Sequence, residues 1–284
     1  MNKADILMVE SIRNIQNKGH KDVNPRPHWH DGTPAHTLSV NGVTHKYDIS
    51  DDEFPITSLR EIKVDKAIGE ILWIYQDCSN DLDVLANKYG VHWWDDWDCG
   101  DRTIKHCYGH TVDKYDLTKK LLDGIIADPY GRRHIINLWQ EDEFRHEHGL
   151  KPCCFQTQFL VRGEYIDMCL YQRSSDWLTA GNINQMQYVA FMMMVAKHCG
   201  YKPGEFIHFI ANQQIYDRHM ENADELLRRF TNLCKMERET KTPIKKPRLV
   251  FEPACSDFWS FKVDDFHMED YDPIKPQLKF EVAV

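Results

Sequence analysis

The amino-acid sequence predicts an α+β fold: a single domain over residues 1–284 with a mixed β-sheet, a buried central helix and flanking helices. Three observations lead there. Segments with helical and with strand periodicity follow one another without regular alternation, which argues against a parallel βαβ design. Residues 185–199 are apolar nearly all round, as expected of a helix running through a domain rather than over it. No repeat of 20–50 residues and no low-complexity linker interrupts the chain. A chain of 284 residues buries about 75% of the surface its unfolded form exposes, so it needs neither disulfides nor metal to hold a core.

The elements follow in order. Ile6, Val9, Ile12 and Ile15 at three-residue spacing before Gly19 predict a helix over 4–18. Leu38 and Val40, then Asn41-Gly42, then Val43 to Ile49 predict a hairpin turning at Asn-Gly. Ala67, Ile68, Ile71, Leu72 and Tyr75 predict a helix over 63–76 and leave Glu70 beside a largely buried stripe. A helix over 113–127 ends at Asp128-Pro129-Tyr130-Gly131, a strand covers 134–139, and two arginines lie in the turn between them. A long hairpin over 155–173 turns at Arg162-Gly163, with Ile166, Met168 and Leu170 on its apolar face. After the central helix come a strand at 206–211, a polar helix at 218–236, and strands near 248–251 and 277–283.

Thirty-five basic residues face forty-four acidic ones, a net charge of −9 with no basic block, which argues against duplex or other nucleic-acid binding through phosphate neutralisation. The longest apolar stretch, Tyr188 to Ala196, is about half what a bilayer span needs, and the first residues lack the apolar core of a signal peptide. A cytoplasmic protein with no membrane contact is expected. Nine cysteines, an odd number that includes the neighbours Cys153-Cys154, fit a secreted disulfide framework poorly, and reduced thiols are expected.

One group of residues suggests covalent chemistry. Cys153 follows Pro152 at the head of a strand, Arg173 ends the paired strand, and Arg132-Arg133 lie upstream. A free thiol titrates near pH ~8.5, and neighbouring cations bring it to roughly 3.5–7.5. On the residues alone, a buried inert cysteine and a solvated arginine pair remain open alternatives. A second group, Cys99, His106, Cys107 and His110, with His28, His30, His36, His146 and His148 elsewhere, admits a zinc-stabilised binding module. No CxxC pair anchors it, and an enzyme without metal is the expectation.

Pro152-Cys153, Gln158-Phe159, Tyr171-Gln172-Arg173-Ser174-Ser175-Asp176, Asn184 and Tyr188 together resemble the signature of the thymidylate synthase family. Phe54-Pro55, Glu70-Ile71-Leu72-Trp73, Trp94-Asp95-Asp96-Trp97, Tyr108-Gly109, Arg132-Arg133, Tyr216 and the tail Ala283-Val284 recur in the family's order, so the resemblance spans nearly the whole chain. It implies the thymidylate synthase fold and a one-carbon (methyl) transferase acting on deoxyuridylate with 5,10-methylenetetrahydrofolate. Cys153 would add to carbon 6 of the pyrimidine, and the resulting enolate would attack the one-carbon unit. Asn184 would read the uracil edge, which an amide suits because it donates and accepts at once. Glu70 would relay protons, and Tyr108 would assist in catalysis. Arg173, Ser174 and Gln172, with Arg26 as a further contact, would hold the nucleotide. Arg132 and Arg133 would reach the phosphate in a partner subunit, making the working unit a homodimer. Gln214 and Tyr216 would lie at the deoxyribose. Trp94, Trp97, Asp176, Arg60 and the carboxylate of Val284 would enclose the folate.

The chain departs from the family at Cys154, Asn212 and Gln214, at Arg60 and over Thr179-Ala180-Gly181-Asn182-Ile183-Asn184. These positions bear on the fate of the exocyclic methylene left on the pyrimidine. Hydride gives thymidylate, the expected product, whereas water gives hydroxymethyl-deoxyuridylate, and the partition depends on water exclusion.

Overall fold

The structure, a computed structural model, describes residues 2–145 and 149–284. His146 and His148 therefore lie outside the described residues. Helix α1 (Lys3–Lys18) starts at Asn2, whose side chain accepts the Ala4 N–H at 3.1 Å, and buries Met8, Val9, Ile12 and Ile15. Gly19 ends it where a Cβ would fall 2.4 Å from the Ile15 carbonyl oxygen, so the close approach requires glycine. Strand β1 (His20–Lys21) then pairs with β2 (Thr37–Asp48).

The expected hairpin at Asn41-Gly42 does not form. Both residues lie inside β2, which runs antiparallel to one later strand in unbroken register, Asn41 facing Asn212 and Val43 facing Ile210. A type I′ turn needs positive φ at two consecutive residues, and here only Gly42 (φ 70°) has it. One left-handed residue bends a strand without reversing it.

Helix α2 (Val64–Tyr75) carries the expected apolar stripe, and α3 (Leu82–Tyr89), not expected from the sequence, packs against it. The helix expected over 113–127 is two: α4 (Gly109–Tyr115) and α5 (Leu117–Ala127), broken at Asp116, which takes the left-handed conformation (φ 52°) that aspartate tolerates. Strand β3 (His134–Asn137) and the short helix α6 (Glu141–Phe144) lead to the hairpin of β4 (Cys154–Arg162) and β5 (Tyr165–Gln172), which turns at Gly163 as expected. After β6 (Ser175–Asp176), a π-helical turn at Trp177–Gly181 feeds α7 (Asn182–Cys199). Gly181 is packed so tightly on Trp177 that a Cβ would lie 2.4 Å from its ring.

Strand β7 (Lys202–Tyr216) is far longer than the expected 206–211 because it pairs along nearly its whole length with β2 on one side and with β5 and β6 on the other. Helix α8 (Met220–Thr240) follows, and β8 (Arg248–Phe251) pairs with β9 (Phe266–Glu269) in a separate ribbon. Residues 277–283 form no strand. Their backbone is held by side chains instead, with Asn222 Nδ2 donating to the Lys279 carbonyl at 2.7 Å and the His219 ring bonded to the Glu281 carbonyl at 3.0 Å.

The main sheet has the order β1-β2-β7-β5-β4-β3 with β6 beside β7, and it is mixed, since β7 runs parallel to β5 and β6 and antiparallel to β2. Helix α7 packs on α2, β5 and β7, burying Val189, Phe191, Met192, Met194 and Val195 completely. It is the central helix the sequence predicts. A second apolar layer, from Met8, Ile12, Ile15, Ala223 and Leu226, joins α1 and α8 to Val40, Ile210 and Ile215 of the sheet. Among the described residues no helix is long and apolar enough to cross a membrane.

Candidate active site

Cys153 lies just before β4, half-buried, at the end of the β4–β5 pair. A β-bulge at Phe155, between the Cys154–Gln172 and Gln156–Tyr171 pairs, re-aims the chain there, a device common beside functional sites. Four bonds fix the thiol-bearing segment. The Cys153 N–H donates to the Tyr108 hydroxyl at 2.9 Å, and the Cys153 carbonyl accepts from the Arg173 N–H at 2.9 Å. The Arg173 guanidinium clamps the preceding carbonyls, Pro152 at 3.1 Å and Lys151 at 2.8 Å. Tyr108 sits at φ 47°, an uncommon conformation for an aromatic residue, followed by Gly109, where a Cβ would fall 1.9 Å from the Ser79 carbonyl oxygen.

The expectation that cations bring the thiol down meets an opposing effect. Burial pushes Cys153 above its ordinary value, and Arg173 and Arg26 pull against it without prevailing. The adjacent Cys154 is more deeply buried and its thiol is raised further. Cys153 is thus the more accessible of the two thiols and the one beside the cations.

Asn184, in the first turn of α7, is held on both sides. Its Oδ1 accepts from Gln172 Nε2 at 3.1 Å and its Nδ2 donates to Gln187 Oε1 at 3.2 Å. Gln172 also donates to the Ser174 carbonyl at 3.0 Å, and Ser174 Oγ lies 3.4 Å from Asn212 Oδ1. Glu70, one helix away on α2, is buried and accepts a short hydrogen bond from Trp93 Nε1. Burial pushes its carboxyl up to about 7 against the lowering effect of its Trp93, Trp94 and Gln187 neighbours. A carboxyl near neutrality can both give and take a proton at physiological pH.

Trp94 packs on Tyr108 and Trp97 with ring centroids 5.4 and 5.5 Å apart, so the tryptophans border the Tyr108 side of the Cys153 segment. Arg60 is buried, donates to the Thr179 carbonyl at 2.8 Å and lies over the Phe280 ring, while burial pulls its guanidinium down to about 10. Its Nε and the Asp176 Oδ1 are buried without a hydrogen-bond partner among the described residues. An unmatched donor and an unmatched carboxylate oxygen suit a polar heteroaromatic ring such as a pterin, which offers both functions. Burial raises the Asp176 carboxyl, with His219 the first influence against it.

Tyr216 ends β7, edge-on to Trp29 at 5.4 Å. Burial raises its hydroxyl to about 12, and Arg26 and Gln214 pull the other way. The charge of Arg26, though exposed, thus reaches both Tyr216 and Cys153. Val284 exchanges backbone bonds with His28, at 2.7 and 3.0 Å, which brings the tail within two residues of Arg26. Arg132 and Arg133 are not gathered with the rest. They are exposed in the turn before the edge strand β3, near the opposite end of β4 from Cys153, and neither pairs with a carboxylate among the described residues.

The Cys/His group does not assemble as the sequence suggested. His106 and His110 stack with centroids 4.3 Å apart beside the buried Glu143, while Cys99 is exposed and Cys107 is buried outside the group. Lys114 and Tyr115 already engage the Glu143 carboxylate. Two neighbours of the site escaped sequence reasoning: Trp93, overshadowed by the Trp94/Trp97 pair, and Gln187, which the three-residue helical spacing from Asn184 could have disclosed.

The family model described as thymidylate synthase matches residues 8–284. A thymidylate synthase of Streptococcus gordonii is 47% identical over 290 residues, covering 100% of both chains, and one of Streptococcus pneumoniae is 48% identical with the same coverage. Among solved structures, the thermostable thymidylate synthase A from Bacillus subtilis matches with a TM-score of 0.87 and 33% identity, covering 99% of each chain.

Proposed function

The chain belongs to the thymidylate synthase family, and from that premise we propose that it is the one-carbon transferase that reductively methylates deoxyuridylate to thymidylate, Cys153 being the nucleophile. The single observation carrying the assignment of roles is the convergence, at one end of the β4–β5 pair, of a half-buried thiol, the Arg173 clamp and the doubly held Asn184 amide. Methylenetetrahydrofolate, when bound, supplies the one-carbon unit and then the hydride.

The remaining steps belong to this chain. A nucleotide phosphate brings about −1.5 to −2 charges. Arg26 and Arg173, with Arg132 and Arg133 of the partner subunit in a homodimer, neutralise it, and Ser174 adds a hydroxyl. Cys153 gives its proton to solvent and its sulfur bonds to carbon 6 of the base, moving an electron pair to carbon 5 and O4. Asn184 donates to O4 and accepts from N3–H, so the enolate gains a fixed donor where charge develops. Glu70, near neutrality, moves protons at O4, and Tyr108 holds the backbone that carries the sulfur. Trp94, Trp97, Asp176, Arg60 and Val284 bind the folate and exclude water. Gln214 and Tyr216 face the sugar. Carbon 5 bonds to the one-carbon unit and gives up its own hydrogen as a proton to solvent. When the methyl group is complete, the electron pair at O4 returns to re-form the carbon 5–carbon 6 double bond and carbon 6 expels the sulfur as thiolate.

The polar 179–184 stretch does not open the site to water on this reading. Asn182 is buried and donates to Gln185 Oε1 at 3.1 Å, and the Thr179 carbonyl is taken by Arg60. Hydride capture is therefore favoured over water capture. Incubation with deoxyuridylate and methylenetetrahydrofolate should yield thymidylate by mass with dihydrofolate formed in equal amount. Hydroxymethyl-deoxyuridylate without dihydrofolate would refute it.

A further inference from the structure

Two buried histidines and a buried glutamine have no part in the chemistry above, yet they end on the residue that reads the base. Ser11, His45, Gln185, His208 and Gln172, all buried, form an unbroken run of hydrogen bonds from α1 to Asn184.

The direction of every bond follows from two backbone carbonyls, which can only accept. Gln172 Nε2 faces the Ser174 carbonyl at 3.0 Å, so its Oε1 faces His208 Nε2 at 2.7 Å, and that nitrogen must carry the proton. The neutral ring then has a bare Nδ1, 3.2 Å from Gln185 Nε2, which donates its other hydrogen to His45 Nδ1 at 3.0 Å. Gln185 Oε1 accepts from Tyr47 at 3.2 Å and from Asn182 at 3.1 Å, and His45 Nε2 is 3.1 Å from Ser11 Oγ. Burial holds both imidazoles well below their ordinary protonation range. On the far side, Gln187 Nε2 faces the Ala67 carbonyl at 3.2 Å, so Gln187 Oε1 must accept from Asn184 Nδ2 at 3.2 Å.

Asn184 is thus locked from both sides. Flipping its amide would set its NH₂ against the Gln172 NH₂ and its oxygen against the Gln187 oxygen. The held orientation leaves one N–H and one lone pair free. Uracil offers an acceptor at O4 and a donor at N3, whereas cytosine reverses both and would demand the flipped amide.

We propose that His208, set by Gln185 and His45, is a positioning residue that fixes Gln172 and through it the Asn184 amide, so that this buried array sets selectivity for deoxyuridylate over deoxycytidylate. The inference rests on the functional reading above and extends it to residues remote from substrate. Its test compares kcat and KM for both nucleotides in the wild type, His208→Phe and His208→Gln. The phenylalanine keeps the bulk but removes the donor, and should raise KM for deoxyuridylate more than it lowers kcat and narrow the ratio of kcat/KM values about tenfold, the effect of one unmatched buried acceptor. Glutamine at the same position can still donate and should recover most of the ratio. An unchanged ratio in His208→Phe, or no recovery in His208→Gln, overturns the proposal. Should either variant fail to fold, nitrogen NMR of the wild-type histidines decides: His208 and His45 should both be neutral with the proton on Nε2, and a proton on Nδ1 of His208 refutes the array. Failure of the functional reading looks different, since the wild type itself would then turn over neither nucleotide.

Discussion

Replacing Glu70 by glutamine separates the electrostatic account of this carboxyl from a purely structural one. Burial raises it from an ordinary 4.5 to about 7, so between those values the folded protein holds a proton the unfolded chain has released. Stability therefore falls as pH rises through this window, because the native state binds more protons than the unfolded state. At 1.36 kcal/mol per unit, the penalty on the ionised wild type approaches about 3 kcal/mol above pH ~8. Glutamine has the same shape, can still accept from Trp93 and bears no charge. The wild type and Glu70→Gln should accordingly be of similar stability near pH 5, and the variant should be the more stable by up to about 3 kcal/mol at pH 8. Asp5, also buried and raised to about 6, titrates in both proteins and cancels in the difference. Denaturant unfolding at several pH values measures it. A difference independent of pH would refute the reasoning. Turnover should move the other way, falling roughly 10²- to 10⁴-fold with loss of a proton relay.

Other consequences follow from the same geometry. If Arg132 and Arg133 serve the partner's site, unfolding and refolding a mixture of inactive Cys153→Ser with Arg133→Ala should restore activity, because each heterodimer keeps one complete site; no gain on mixing would place the arginine in its own subunit's site. Deleting Val284 removes two backbone bonds to His28, and it should lower kcat about tenfold or more while deoxyuridylate affinity measured by calorimetry stays within about twofold. Equal losses in nucleotide binding would mean that the tail shapes the nucleotide pocket rather than closing over folate.

The sequence disclosed those elements whose apolar spacing is set locally. The stripe of α2, the all-round apolarity of α7 and the alternation of β5 are each visible within a short window, and each forms. Asn41-Gly42 misled because the dipeptide permits a turn without imposing one, and β7 offers it a continuous ladder. The tail misled because its backbone partners, Asn222, His219 and His28, come from distant segments that no window joins. At the site, residue chemistry alone singled out Cys153 and its arginines only weakly, and the family resemblance supplied the roles. The Ser11–His45–Gln185–His208 run was illegible for a similar reason: its members come from four elements and become a chain only when α7 lies against the sheet.

Covalent capture by 5-fluoro-deoxyuridylate probes the central claim most directly. With methylenetetrahydrofolate present, the wild-type protein should gain the combined mass of nucleotide and folate, and peptide mapping should locate the bond on the sulfur of Cys153. Attachment at Cys154, or a Cys153→Ser protein that still forms the adduct, would contradict the account.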